Sequence, residues 1–311
     1  CVDSRSDKID FYEIDRVEYF NKLEGFWLGQ SIANWTGLIT EMDKIGNIGE
    51  IKTGKFYTRN NWGGKDEPSI WSSETSYDQI NFVLKEPGQI WGSDDDTDIE
   101  YMYQELLHDS DQIILSAKKI KDGWIKHIKS KEENFLWVSN QKAFDLMQDG
   151  LLPPETSDPS LNEHYDMIDA QLTTEIFGLL SPVNYKSALK MSNLPIRTTA
   201  RGDAASISDF YVIIHSLAST IDSNKPLDEE LIRISDFASS VLDKNSYSLP
   251  MYEFVKSKFN SGITWEQTRD SIYQRYQVDQ KDGYDVTSRN LYCNGCFASG
   301  INFASSLVSY F

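Results

Sequence analysis

The stretch Trp91–Leu107, WGSDDDTDIEYMYQELL, most constrains what this chain can fold into, because it places a dense acidic cluster directly before an apolar helical pattern. Four of the five residues from position 94 to 98 are aspartates: Asp94, Asp95, Asp96 and Asp98. Apolar residues then recur at the three- and four-residue intervals of one helix face: Ile99, Met102, Tyr103, Leu106 and Leu107. The pattern predicts a helix that begins in the acidic cluster and packs its apolar face into a core.

Two interpretations of the acidic cluster are open. In the first, Ser93 or an aspartate caps the free N–H groups of the helix, and the remaining acids favour the positive end of its dipole. In the second, Asp94, Asp95 and Asp96 bind a hard cation such as Mg²⁺ or Ca²⁺, whose charge relieves the repulsion between clustered carboxylates. We favour the cation site, because capping needs only one or two of the acids. An EF-hand loop is excluded, because its sixth position requires Gly and is Ile99 here.

Composition indicates a globular protein. With 311 residues, of which 40% are hydrophobic and 25% charged, the chain can bury a sizeable core. Its formal net charge of −18 repels phosphate backbones, which argues against nucleic acid as a partner. No apolar run approaches the roughly 18 residues that a membrane-spanning helix needs. We therefore predict a single α-helical domain over residues 9–311, with no transmembrane segment.

The chain begins with Cys1 rather than with Met. Cleavage of a lipoprotein signal peptide leaves a lipid-bearing Cys at position one, and residues 1–8 would then be an N-terminal tether. An arbitrary boundary of the sequence explains the same start equally well. The first interpretation predicts a lipid anchor and an exported lipoprotein, periplasmic or at the cell surface; the second allows a cytoplasmic protein. Cys293 and Cys296 have CxxC spacing but no second ligand pair, which predicts buried thiols or a local disulfide rather than zinc.

A glycine-stepped segment follows the first predicted helix, Ile9–Leu23. Its small residues recur every four positions: Gly25, Gly29, Ala33 and Gly37. On a helix this spacing makes a groove of small residues. Each Gly costs about 1 kcal/mol relative to Ala, so we expect the close approach of another backbone or of a ligand to offset that cost. Glu41 lies one turn beyond Gly37. Its position alone favours a solvated residue at a helix C-terminus, with a role in the site as the alternative.

Residues 46–91 are rich in Gly, Asn, Trp and Ser and contain only short β-like runs. We therefore predict a long loop or hairpin insertion in an otherwise all-α fold, since loops of this length are usually functional or disordered. Trp62 precedes a Gly-Gly turn in this insertion. It is a candidate for stacking on a ligand, with attachment of the loop to the core as the alternative.

The apolar segment Ile168–Leu180, IDAQLTTEIFGLL, predicts another helix. Asp169 and Glu175 are embedded in it. Buried polar groups need partners or a function, so both residues are candidates for the site.

Four segments together resemble the ADP-ribosylglycohydrolase family, which includes the enzyme that removes ADP-ribose from dinitrogenase reductase. They are GFWLGQSIANWTG, SDDDTD, IDAQLTTEIFG and NGCFASGINFASSL. The resemblance covers most of the chain from residue 9 onward. It implies an all-α orthogonal helical bundle around a two-metal site that holds one or two Mg²⁺ ions, replaceable by Mn²⁺ or Ca²⁺. It also implies hydrolysis of an N- or O-glycosidic bond, with ADP-ribose or an ADP-ribosylated protein as the partner.

The resemblance also implies roles for individual residues. Asp95, Asp96 and Thr97 match the family's Asp-Asp-Thr run at a helix start, and Asp94 stands where the family has Thr or Ser. Asp94, Asp95 and Asp96 are thus the implied metal ligands. Glu41 resembles, one turn late, a Glu that follows the family's first helix, and Glu41 or Asp96 would take up the proton. The candidate substrate-binding residues are Trp62, Asp169 and Glu175.

The family's second metal motif, an Asp-x-Asp-Thr-like run that opens a later helix, would follow the last predicted helix, which ends at Phe311. We therefore expect either a fragment truncated at its C-terminus or a protein that has lost half of its metal site. In the second case the chain would be a catalytically degenerate protein that binds ADP-ribose or a nucleotide sugar. A structural or sugar-binding surface protein, whose acids only cap a helix, is the third hypothesis.

Overall fold

Helices make up most of the residues that the computed structural model describes, namely 12–37, 47–48, 51–52, 63–65, 79, 88–89, 94–129, 134–287, 295 and 297–311. In chain order the helices among them are α1 (Arg16–Gly37), α2 (Asp95–His108), α3 (Ala117–His127), α4 (Val138–Gln148), α5 (Asp169–Leu172), α6 (Ile176–Leu179), α7 (Tyr185–Thr199), α8 (Gly202–Ala218), α9 (Leu227–Ala238), α10 (Ser248–Asn260), α11 (Trp265–Ile272) and α12 (Ser299–Tyr310). A π-helical turn, Tyr273–Val278, extends α11.

The described part of the predicted insertion contains one small antiparallel pair, β1 (Asn47–Ile48) with β2 (Ile51–Lys52). Apart from this pair, the regular elements of the described residues are helices, which confirms the all-α class for them. Within the same residues, no helix combines the length and apolar character needed to cross a membrane.

Helix α8 lies at the centre of the described bundle. Its sequence is apolar on nearly every side, which is typical of a helix surrounded by others. Ten of its residues are buried: Ala204, Ala205, Ile207, Ser208, Phe210, Val212, Ile213, Ile214, Ser216 and Leu217. It packs against six other helices: α5, α6, α7, α9, α10 and α12. Because α5 and α6 pack on this fixed helix, the polar residues that they carry have defined positions.

Two large apolar clusters flank α8. One is formed by α8 to α12 and includes Phe210, Tyr252 and Phe303. The other lies beneath α2, α3, α4 and α6 and includes Ile99 and Trp124. The apolar stripe predicted for α2 is confirmed: its first four members are buried, and Leu107 is half-buried against the same cluster. The acidic start of α2 is therefore anchored to the core by its own helix.

Helix α1 differs from the prediction in two ways. It is one continuous helix that begins at Arg16, where Asp15 Oδ1 accepts hydrogen bonds from Val17 N and Glu18 N at 2.9 Å each. Of the two alternatives for its glycine steps, the close approach of another backbone is not found among the described residues, because a Cβ at Gly25 or Gly29 would have no described atom within 4 Å. Within the described part of the chain, longer side chains hold the helix instead, and the approach of a ligand stays a prediction.

Replacing Gly29 with alanine should therefore stabilise the protein. The new methyl group meets open space, and alanine is favoured over glycine in a helix interior by about 1 kcal/mol. We expect the free energy of unfolding, measured by urea titration, to rise by about 0.5–1 kcal/mol. A decrease would mean that another segment approaches the helix at this position.

Candidate functional site

Helix α2 begins at the acidic cluster because Asp94 caps it. The backbone of Asp94 is extended (φ −108°, ψ −176°), and its Oδ1 accepts a hydrogen bond from Thr97 N at 2.9 Å. Asp95, Asp96 and Asp98 lie in the first turn, where the helix dipole favours negative charge. The capping interpretation is thus confirmed for Asp94. It does not account for the neighbouring acids whose charges raise the pKa values of Asp95 and Asp96.

The start of α4 joins two acids from different elements. Trp137 N donates to Asp95 Oδ2 at 3.3 Å, and Asn140 N donates to Asp169 Oδ1 at 3.4 Å. The first N–H groups of a helix have no acceptor within the helix, and the Trp137 side chain makes no capping bond. Carboxylates from α2 and α5 act as acceptors instead. This arrangement brings Asp95 and Asp169 to one end of α4.

The segment Ile168–Leu180 does not form the single helix that the sequence predicts. It forms two four-residue helices, α5 and α6, separated around two threonines. Thr174 Oγ1 donates to Ala170 O at 2.7 Å, and such a side-chain bond competes with the backbone bonds of a continuous helix. The break leaves Asp169 in α5 and Glu175 directly before α6. Both carboxyls are close enough to the acidic start of α2 to raise the pKa of Asp96 electrostatically.

Glu100 is a further acid of this site, and our sequence analysis missed it. The residue is fully buried in α2, and its Oε1 accepts a hydrogen bond from Ile176 N at 2.8 Å. Its Oε2 accepts a bond from Gln30 Nε2 of α1. The signal was present, because Glu100 lies four residues after Asp96 and residues at that spacing share a helix face. Because Glu100 lies beside Ile99 in an apolar helical pattern, the sequence indicated a core helix at this position rather than a site residue.

Two amides of α1 also contact the start of α2. Gln30 binds Glu100, and Asn34 Nδ2 donates to Thr97 Oγ1 at 3.1 Å. Gln30 and Asn34 are one helical turn apart, so both amides lie on the same face of α1. Their i, i+4 spacing is visible in the sequence, but the prediction for this helix considered only the spacing of its small residues.

Burial and the charges of neighbouring acids raise the pKa values of the aspartates at this site. Desolvation raises the pKa of Asp95 to about 6, with a further contribution from the charge of Asp169, although the Trp137 N–H bond opposes both. Desolvation also raises the pKa of Asp96 well above its usual range, and Asp95 adds to the effect by repulsion. Burial raises the pKa of Asp169 as well. These carboxyls therefore hold protons more tightly than exposed aspartates do.

Glu100 and Glu175 form a second perturbed pair. Burial raises the pKa of Glu100 to about 7, against the hydrogen bonds from Gln30 and Ile176 that favour its anion. Desolvation and then the charge of Glu100 raise the pKa of Glu175 well above its usual range. Five acids of the site have raised pKa values, and no lysine or arginine is among the main groups that shift them. Among the described residues, the site thus concentrates carboxyl groups, and the basic side chain that acts on them is His164, which lowers the pKa of Asp169.

Several shielded polar atoms at this site have no hydrogen-bond partner among the described residues. They include Gln30 Oε1 and both polar atoms of the Asn140 side chain, and Asn140 is fully buried. An unsatisfied buried group costs about 1–3 kcal/mol. Such atoms therefore indicate a place where another molecule or ion completes the bonding.

The donor set fits a hard divalent cation in its chemistry. Carboxylate and amide oxygens are the ligands that Mg²⁺ prefers, and a bound cation would offset the repulsion between the acids. Across the described ranges, no three acidic, histidine or cysteine side chains are close enough to enclose an ion as they are now oriented. Binding would therefore draw Asp95 and Asp96 toward the ion.

Of the residues singled out from the sequence, the structure brings together Asp94, Asp95, Asp96, Asp169 and Glu175. Glu41, Trp62 and all three cysteines lie outside the described residues. The predictions of a proton-accepting Glu41, a stacking Trp62, a lipid-bearing Cys1 and a Cys293–Cys296 pair stay predictions.

Comparison of the chain with protein-family models, with curated proteins and with solved structures finds no match. The family resemblance drawn from short motifs therefore stays a hypothesis, and the function has to be argued from the site.

Proposed function

We propose that this chain is a Mg²⁺-dependent hydrolase that removes an ADP-ribosyl group from a modified side chain. The observation that carries the proposal is the convergence of five acids with raised pKa values at one site: Asp95, Asp96, Glu100, Asp169 and Glu175. A site of this kind suits a cation and a proton transfer. The choice of an ADP-ribosyl substrate is supported by the motif resemblance alone.

Asp94, Asp95 and Asp96 would hold the ion. The ion would orient the ribose hydroxyls and lower the pKa of a water molecule. The raised pKa of Asp96 suits a group that takes up a proton during the reaction. Asp169 is fixed by the Asn140 N–H, so it can orient the neighbouring carboxylates. Glu175 lies beside this group and shares a side-chain hydrogen bond with Glu100, so it can help to position the neighbouring carboxyls.

Calorimetric titration with Mg²⁺ tests the ion site. We expect the wild-type protein to bind Mg²⁺ and a double variant, Asp95→Asn with Asp96→Asn, to lose that binding. Asp98→Asn is the matched control, because it alters an exposed acid of the same turn that contacts Asn134. Its affinity should stay within about twofold of the wild type. Equal affinities in all three proteins would contradict the assignment of the ligands.

Release of ADP-ribose from peptides modified at arginine or at serine tests the reaction. Removing one general acid or base typically costs a factor of about 10²–10⁴, so we expect Asp96→Asn to lower the rate at least about 100-fold. Binding of Mg²⁺ and ADP-ribose without turnover would favour the degenerate binding protein. The absence of both would favour an acid cluster that only caps α2.

A further inference from the structure

A cavity of about 630 Å³ lies between α1, α6 and the C-terminal end of α8. Its walls are mainly apolar and include Phe26 of α1, Leu179 of α6 and Ala218 of α8. Its volume lies within the range of roughly 300–1,000 Å³ that is usual for small-molecule sites. The proposed hydrolase function makes no use of these apolar walls.

Contacts between the elements hold the walls of the cavity in place. Tyr19 Oη donates to Leu179 O at 2.8 Å, and Lys22 Nζ donates to Ser219 O at 3.2 Å. The Phe26 ring meets the His215 ring edge-on, with 5.6 Å between the centroids. Helix α1 is thus tied both to α6 and to the end of α8, which gives the cavity fixed walls.

Two glycines leave the α1 side of the cavity open. Gly25 and Gly29 both line it, and a Cβ at either position would have no described atom within 4 Å. The sequence predicted that another backbone or a ligand approaches these glycines. An open cavity beside them favours the ligand.

His215 carries a hydrogen-bond acceptor that the protein does not use. Its Nδ1 lies 2.9 Å from Tyr211 O. Because a carbonyl oxygen only accepts, Nδ1 carries the hydrogen of this bond. Burial lowers the pKa of His215, so the ring is neutral at pH 7. In a neutral ring whose Nδ1 is protonated, Nε2 has a free lone pair and accepts.

Nε2 of His215 is accessible to a ligand. The two ring nitrogens point in divergent directions, and Nδ1 is turned to the backbone of α8, so Nε2 is turned away from its own helix. Among the described residues it has no hydrogen-bond partner, and unlike Gln30 Oε1 it is not shielded from solvent. Because His215 lines the cavity, a molecule bound there can donate to Nε2.

The charged groups of the lining are balanced within the protein. Lys22 is paired with Glu18 at 3.0 Å. Burial and then the charge of Glu100 raise the pKa of Glu175 well above its usual range, so this acid keeps its proton more readily than an exposed glutamate does. An apolar cavity with a neutral acceptor therefore suits a neutral molecule that brings a donor.

We propose that this cavity binds a neutral aromatic molecule with one hydrogen-bond donor, an N–H or O–H group. The donor would bond to His215 Nε2, and the aromatic rings would pack against Phe26 and Leu179, where edge-to-face contact with the Phe26 ring is favourable. This site needs neither the metal ion nor an ADP-ribosyl group, so it goes beyond the proposed hydrolase function.

Calorimetric titration with indole and with 1-methylindole, both in EDTA, tests the inference. The two probes share the same fused rings, and only indole has an N–H to donate. A hydrogen bond of ordinary strength corresponds to a few-fold to tenfold change in affinity, so we expect the wild-type protein to bind indole at least about fivefold more tightly. Equal affinities for the two probes, or no binding of indole, would overturn the proposal.

His215→Leu tests the assigned acceptor, because leucine is similar in size and has no ring nitrogen. The affinities of this variant for indole and for 1-methylindole should become equal. A preference for indole that survived in His215→Leu would contradict the role of Nε2.

Gly29→Leu keeps the test decisive if His215→Leu fails to fold. It places a side chain in the cavity while raising helix propensity, so the fold should persist in a thermal unfolding assay and indole binding should fall at least about tenfold. Glu24→Leu, at an exposed position of α1 outside the cavity lining, is the matched control and should bind indole as the wild type does. Unchanged binding in Gly29→Leu, or equal losses in both variants, would contradict the assigned cavity.

The Asp95→Asn/Asp96→Asn protein separates this site from the metal site, because neither aspartate lines the cavity. It should bind indole as the wild type does, whether or not it binds Mg²⁺. Loss of indole binding in this protein would place the probe at the acidic site and overturn the proposal.

Discussion

Replacing Glu100 with glutamine is expected to stabilise the metal-free protein at pH 8. The residue is fully buried, and its pKa is raised from 4.5 to about 7. At pH 8 the folded protein must therefore hold a buried anion that the unfolded chain would expose to water. Glutamine keeps an oxygen for Ile176 N and carries no charge.

The sign of the pH dependence follows from the raised pKa values. A carboxyl with a raised folded-state pKa contributes stability that is fully present below its unfolded pKa, near 4. That stability is lost as the pH rises through the folded-state value, about 7 for Glu100 and about 6 for Asp95. The wild-type protein in EDTA should therefore be more stable at pH 5 than at pH 8.

The size of the effect follows from the same shift. One pKa unit corresponds to about 1.4 kcal/mol, so Glu100→Gln should gain about 3–3.5 kcal/mol at pH 8 and considerably less at pH 5. Urea unfolding in EDTA at both pH values measures it. Glu253→Gln, a change at an exposed position of α10, is the matched control and should leave the pH dependence unaltered. A loss of stability in Glu100→Gln at pH 8 would show that a positive group compensates the anion.

Replacing Gly178 with alanine is expected to destabilise the protein strongly. A Cβ at this position would lie 2.2 Å from Val212 O and 3.0 Å from Ser216 N. Both atoms belong to the backbone of α8, which cannot move aside as a flexible side chain can. Overpacking of this kind costs about 1–3 kcal/mol and sometimes more, and we expect a loss of about 3 kcal/mol in the free energy of unfolding.

Gly29→Ala provides the control for Gly178→Ala, because it makes the same chemical change in a helix where no described atom interferes. The two variants should shift the urea midpoint in opposite directions. A stability within about 0.5 kcal/mol of the wild type, as is usual for neutral substitutions, would mean that α6 and α8 lie farther apart.

Periodicity predicted much of the helical structure correctly. The stripe from Ile99 to Leu106 is buried, and α12 overlaps the last helix that the sequence predicts. These elements are governed by local spacing, which a sequence displays directly. The acidic start of α2 was predicted for the same reason, because capping and dipole preferences act within one turn.

The interruptions of helices were predicted less well. The segment Ile168–Leu180 has an unbroken apolar pattern, yet it divides into α5 and α6 because Thr174 bonds to Ala170 O and the segment packs on α8. In the other direction, α1 continues as one helix through glycines for which the sequence predicted the close approach of another backbone or of a ligand. In both cases contacts with other elements decided the outcome.

By itself, the sequence determined the helical class, the position of the acidic cluster and its place at a helix start, since each depends on neighbours within a few residues. Only the tertiary structure decided which acids share one site. Glu100, Asp169 and Glu175 join Asp95 and Asp96 because the first turn of α4 donates to acids of both α2 and α5, while the N–H of Ile176 binds Glu100. The physical reason is that like charges separated by long stretches of chain approach one another only when packing holds their backbones in place.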